Sequence, residues 1–231
     1  IDQKEWGSVQ PSSREAKRQG IHFFYMLNLG ASSGTISDGL RDNPRRANNG
    51  KLFSPIDDIY WDRVVESRFL RVAEMLQGDE YQVDGFLIDP EMYSARGSIP
   101  GDVDYGDYAL GEFVEATGIE LDFADLSISD RKRLVAERGL ADQLYEFEFD
   151  RLKNLAQSTR EKLQAKFPDA IMGFFLWKDT LWFKAVAAGF STPRVPCWVG
   201  PESTYPGTFD PEFVKFADGL RRQAGGPILL A

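Results

Sequence analysis

The sequence predicts an α/β chain of the (β/α)8 TIM-type barrel class, with five of the barrel's strands legible in its 231 residues. Three observations predict it. Short, almost continuously apolar segments recur along the chain, as in parallel strands covered on both faces. Helical patterns lie between them, and strand–helix alternation means a parallel α/β fold. Polar and aromatic residues gather just after the strands' C-terminal ends, where a barrel keeps its active site, and no Gly-rich phosphate loop follows any strand.

The predicted strands are 20–29 (GIHFFYMLNL), 83–90 (VDGFLIDP), 170–177 (AIMGFFLW), 194–200 (RVPCWVG) and 227–231 (PILLA). Ser54-Pro55 reads as a helix start, Ser as cap and Pro in the first turn. Trp61, Val65, Phe69, Val72 and Leu76 continue it at helical spacing, and Gly78 stops it. A longer helix is marked by Leu144, Phe147, Leu152, Leu155 and Leu163, and shorter ones are expected over 179–188 and 212–223. Residues 94–166 form a long excursion with its own helices, expected to roof one side of the site within a single domain spanning 1–231. Its acids Asp102, Asp104, Asp107, Glu112 and Glu115 read as a solvated face. Five strands do not close an eight-stranded barrel, and the last pattern runs to Ala231, so the expectation is a chain that extends further or holds unread strands.

A net charge of −9, from 36 acids and 27 bases, gives no attraction for nucleic acid or anionic membrane. No apolar run is long enough to span a bilayer. His22 is the single histidine, which argues against a His-rich metal site and the usual Ser-His or Cys-His triads, and Cys197 has no disulfide partner. Carboxylates remain as acid–base groups, with no cofactor and no metal expected. Ile1 suggests a processed N-terminus, and a secreted or periplasmic location is the expectation.

The segment DGFLIDPE (84–91) carries the central constellation. Period-two geometry puts Val83, Gly85, Leu87, Asp89 and Glu91 on one face, with Phe86 and Ile88 on the other. An apolar inward layer thus ends in two carboxylates. Acids this close resist joint ionisation, which raises one pKa, as a general acid near neutral pH requires. The structural alternative is that Asp89 caps a turn and Glu91 pairs with an arginine such as Arg96.

DGFLIDPE resembles the strand motif of family 18 chitinases, Asp-Gly-x-Asp-x-Asp-x-Glu. Asp84, Gly85, Asp89 and Glu91 match it, and Leu87 stands in place of the middle acid. The resemblance implies Glu91 as proton donor and Asp89 as the group that orients a substrate acetamido group. More broadly, DPEMY (89–93), the 105–118 segment and ESTYPG (202–207) are similar to those of uncharacterised glycosidase-like barrel proteins.

Glu202, in a turn after a strand, is the second carboxylate to weigh, as nucleophile, base, sugar ligand or solvated loop acid. Asp179 is the third, with capping of the following helix as its alternative role. Cleavage of a glycosidic bond needs two carboxyl groups, about 5–5.5 Å apart for retention and roughly 6.5–9.5 Å for inversion. Glu91 with Glu202, with Asp179, or with Asp89 in a substrate-assisted route would serve. Tyr93, Trp177, Trp198 and Tyr205 fall at or after strand ends as stacking platforms, and Asn28 ends the first strand in the phase that lines the mouth. Trp182 is assigned to core packing, and His22 to packing near its strand's start. The expected activity is glycoside hydrolysis, with a carbohydrate as partner. The alternative is a non-catalytic carbohydrate-binding barrel, an inactive glycosidase homologue. A metal-dependent or Schiff-base barrel enzyme would need a group such as Lys178, whose phase opposes Trp177.

Overall fold

Five parallel strands form one sheet in sequential order: β1 (Phe24–Asn28), β2 (Gly85–Asp89), β3 (Ile171–Leu176), β4 (Cys197–Pro201) and β5 (Ile228–Leu230). A computed structural model describes residues 7–29, 43–50, 52–90, 103–176, 179–201, 211–224 and 226–230. Four of the strands fall inside the predicted apolar segments, and β4 runs one residue past its segment, to Pro201. Among the described residues, seven helices accompany them, besides a 3-10 turn at Ala47–Asn49: α1 (Val9–Gln19), α2 (58–75), α3 (Asp107–Thr117), α4 (Ile128–Glu137), α5 (Ala141–Gln164), α6 (Leu181–Phe190) and α7 (Pro211–Gln223). The mixed α/β class with a parallel sheet therefore stands.

One face of the sheet carries the helices. Leu27, Phe86, Ile88, Met172, Phe174, Cys197 and Val199 share one buried cluster with residues of α1, α2, α5, α6 and α7. Phe86, Ile88, Met172, Phe174, Cys197 and Val199 are fully buried there. The other face has a different character. Pairing aligns Phe24, Met26 and Asn28 with Gly85, Leu87 and Asp89, then Ile171 and Gly173, then Trp198 and Leu229. Met26 is 47% exposed and Leu229 42% exposed, at the two edges of that face. Two of its glycines make room for aromatic rings. A Cβ on Gly85 would fall 2.8 Å from the Phe24 ring and 2.1 Å from the Ile171 carbonyl oxygen. One on Gly200 would fall 2.2 Å from the Trp198 indole.

Helix α2 corrects the predicted start. Its first turn begins at Asp58, and Asp57 is the cap, its carboxylate accepting from the Ile59 N–H at 3.0 Å. Ser54 is buried and donates to Asp104 instead, at 2.6 Å. Trp61–Glu66 then runs as π-helix before Ser67–Met75 resumes α-helix. Helix α1, absent from the sequence reading, packs before β1.

The excursion after β2 is helical, as expected. Helix α5 has 24 residues, about 36 Å at 1.5 Å per residue. Strands of five or six residues span only about 17–20 Å, so α5 overhangs the sheet. Its later residues Leu152, Ala156 and Leu163 join the main core beneath the sheet. Leu144, near its start, joins a second core with Leu110, Phe113, Leu121 and Val135 from α3, α4 and their linker. This second core lies on the side of the strands' C-terminal ends, because α5 must return to the N-terminal end to feed β3.

Candidate functional site

The C-terminal ends of β1 and β2 bring two of the predicted site residues together. Asn28 pairs with Asp89 across the parallel ladder, and its Nδ2 donates to Asp89 Oδ2 at 2.7 Å. The backbone supports the pair, since the Leu29 N–H donates to the Asp89 carbonyl at 2.8 Å. Both side chains are half-buried, above the buried Leu87 of the same face. An amide oriented by a carboxylate at a strand end is a rigid polar pair able to take hydroxyl or amide groups of a ligand.

The sequence reads Trp198 as lying at a strand end, and the structure corrects this. It is the second residue of β4, not its last. Its ring nevertheless leans along the strand over Gly200, on the same face as Asp89. Phe175 meets it edge-on, with ring centroids 5.1 Å apart. Phase alone would have found Phe175, which lies two residues after Gly173 and alternates with the buried Phe174.

Asp179 sits between β3 and α6. It does not cap the helix, since the cap position is Thr180. Its carboxylate pairs with Lys184 Nζ at 3.2 Å, which gives it a structural partner. Trp182 is buried and packs edge-on against Phe174 and Phe183, as expected of a core residue. Glu91, Tyr93, Trp177, Lys178, Glu202 and Tyr205 lie outside the described residues.

Asp84, which matched the chitinase motif, lies at the opposite end of β2 from Asp89. Its carboxylate accepts from the Phe23 N–H at 2.6 Å and from Gln82, and His22 Nδ1 lies 2.8 Å away. Burial opposes ionisation, but these bonds outweigh it and hold the carboxyl below its usual range. Asp84 therefore ties the entry of β1 to that of β2. His22 is a correction: it is an exposed partner of Asp84, not a packed residue, because β1 begins two residues after it.

The excursion after β2 brings a second correction. Asp104 is fully buried, not solvated. Its carboxylate accepts from Ser54 Oγ, from the Asn48 N–H at 2.7 Å and from the Gly106 N–H at 2.8 Å. Its own N–H donates to both oxygens of the buried Glu148 at 3.1 Å. Burial raises the pKa of both acids, most strongly for Glu148, where the Asp104 charge adds to it. Asn48 and Asn49 adopt left-handed backbone (φ 47° and 54°), which asparagine tolerates. Their side chains accept from the N–H groups of Tyr105 and Asp107 at 2.8 Å. Asn49 thereby satisfies the start of α3. Arg45 completes the join, pairing with Asp57 and Asp58 while lying 4.7 Å over the Tyr108 ring. Residues 43–49 thus form a strap that ties the chain between β1 and α2 to the excursion after β2. Asp107 remains exposed, and Glu112 pairs with Arg151 at 2.8 Å.

Among the described residues no group of three or more His, Cys, Asp or Glu side chains could hold a metal. None of the described helices is long and apolar enough to cross a membrane. No protein family, curated protein or solved structure matches the chain.

Proposed function

We propose that this chain is a carbohydrate-active enzyme of the (β/α)8 barrel type, a glycoside hydrolase with Glu91 as proton donor and Asp89 as the group that orients the substrate. The observation that carries the reading is the Asn28–Asp89 pair, held at 2.7 Å where β1 and β2 end on the sheet's open face. Three features support it. Strand order is sequential and the helices share one face, as in a singly wound wall, whereas a doubly wound sheet reverses its order. The open face carries Phe175 and Trp198, rings suited to the C–H faces of a sugar. A helical roof overhangs the same end, as a substrate cleft requires. In this reading the face bearing Met26 and Leu229 is the inner wall of the barrel, closed by further strands.

In the reaction, Asp89, with Asn28 fixing its rotamer, would accept a hydrogen bond from the substrate's acetamido or hydroxyl group. Glu91, two residues on in the same phase, would give its proton to the glycosidic oxygen. Glu202 is the candidate second carboxylate. Asp179, engaged by Lys184, is the weaker one.

One observation favours a second reading, a binding barrel without turnover. Leu87, buried on the same face, occupies the position where the chitinase motif has an acid. Assaying wild type and Glu91→Gln for reducing-end release on a glycan panel separates the two. Cleavage by wild type, lost in Glu91→Gln with binding retained, supports the hydrolase. Binding without cleavage by wild type establishes the other reading.

A further inference from the structure

A groove of about 480 Å³ lies along α5 where that helix passes the start of α2. Its volume is in the range of small-ligand sites, roughly 300–1,000 Å³. Phe147, Asp150, Arg151, Asn154 and Leu155 line one wall, and Asp58 faces them. The five are spaced as one face of a helix, i, i+3, i+4, i+7 and i+8, so a single rigid element presents them.

The hydrogen-bonding capacity of this face is only partly used. Asp150 and Asn154 are exposed and have no partner among the described residues. Arg151 donates through Nε to the Ile56 carbonyl and through Nη2 to Tyr108 and Glu112, which fixes the guanidinium and leaves Nη1 unengaged. Asp58 Oδ1 accepts from Arg45 Nη1 at 2.6 Å. Phe147 is half-buried, anchored edge-on against Phe113 at 5.7 Å. The groove therefore offers pure acceptors (Asp150 and the second Asp58 oxygen), a pure donor (Arg151 Nη1), a group that is both (Asn154), and an apolar floor of Phe147 and Leu155.

We propose that this groove is a saccharide-binding subsite, separate from the Asp89 site. A sugar ring has the matching chemistry: adjacent hydroxyls that both donate and accept, beside a C–H face that packs on apolar carbon. A simple cation site is less well matched, because Arg45 already pairs with Asp58 and the Arg151 guanidinium occupies the middle of the wall. The choice of saccharide rests on the hydrolase reading, whereas the groove does not.

The test uses cellohexaose, chitohexaose, maltohexaose and xylohexaose as probes, with amide NMR shifts and calorimetry on wild type, Asp150→Ala, Asn154→Ala and Asp89→Asn. Alanine suits an exposed helix position, so the groove variants should fold. At least one hexaose is expected to shift the amides of residues 147–155, in Asp89→Asn as in wild type. Each groove variant should weaken that binding roughly tenfold. The proposal is overturned if no hexaose shifts these amides or if both groove variants bind as wild type does. Cleavage with an inert groove would leave the hydrolase reading standing alone, and groove binding without cleavage would do the reverse.

Discussion

Phe174 and Phe175 are neighbours in β3, yet they belong to two different environments. Phe174 is fully buried between the sheet and α6. Phe175 is half-buried on the open face, edge-on to Trp198. The same division runs through the sheet: the helix-covered face is apolar and sealed, and the open face carries glycines, aromatic rings and the Asn28–Asp89 pair. A nearly continuous apolar run in sequence thus hides an alternation. One phase is spent on stability, and the other is available for a ligand or for a closing wall.

The largest effects that could break this division are on activity. Glu91→Gln should lower the rate by about 10²–10⁴-fold, the usual contribution of general acid catalysis, with the melting temperature little changed. Next comes the face comparison itself. Phe174→Ala should cost about 3–5 kcal/mol in denaturant unfolding, and Phe175→Ala about 1 kcal/mol. Equal losses would mean that the two faces are sealed alike. Loss of the Asp84 bonds should cost about 1–3 kcal/mol in Asp84→Ala, with hydrolysis retained. The Asp84 carboxyl has a lowered folded pKa. Its stabilisation is present above its unfolded value of about 3.9 and is lost as pH falls through the lower folded one. The variant should therefore show a shallower fall in stability below about pH 4.

Glu148 has the opposite sign. Its folded pKa is raised by burial and by Asp104. The stability it contributes is complete below its unfolded value of about 4.3 and declines as pH rises through the folded one. Glu148→Gln should flatten the loss of stability from about pH 5 upward, read as the unfolding midpoint across a pH series.

Much of the sheet was legible in the sequence. Parallel strands need apolar runs, and all five were read within a few residues of their ends. Helices α1, α3 and α4 were not read individually: α3 falls in the acidic part of the excursion, and the buried sides of α1 and α4 are not apolar stripes. Helix α1 buries Val9, Ser13 and Ala16, and α4 buries Arg131, whose guanidinium donates to the carbonyls of Tyr105, Ala124 and Leu126. The Ser54 cap was misread for a related reason. Its hydroxyl serves Asp104, fifty residues away, and local capping rules do not see such a partner. Asp104 itself read as solvated because three of its partners, Asn48, Ser54 and Glu148, lie more than forty residues away in sequence. At the candidate site, strand phase put Asn28 and Asp89 each at a strand end facing the mouth, and the register of β1 with β2 is what sets them side by side. It did not reveal that Lys184 engages Asp179 one helical turn away.

The most direct measurement compares two acids of one segment. Asp84 and Asp89 sit at opposite ends of β2, one tied to the strand entries and one facing the proposed site. Initial rates of glycan hydrolysis for Asp84→Asn and Asp89→Asn, each normalised to folded protein, separate their roles. The account predicts a loss of at least about a hundredfold for Asp89→Asn, the scale of a lost transition-state contact. Asp84→Asn should stay within about twofold of wild type, since a surface tie far from the chemistry contributes no such contact. Equal rates for the two variants, or a greater loss at Asp84, would contradict it.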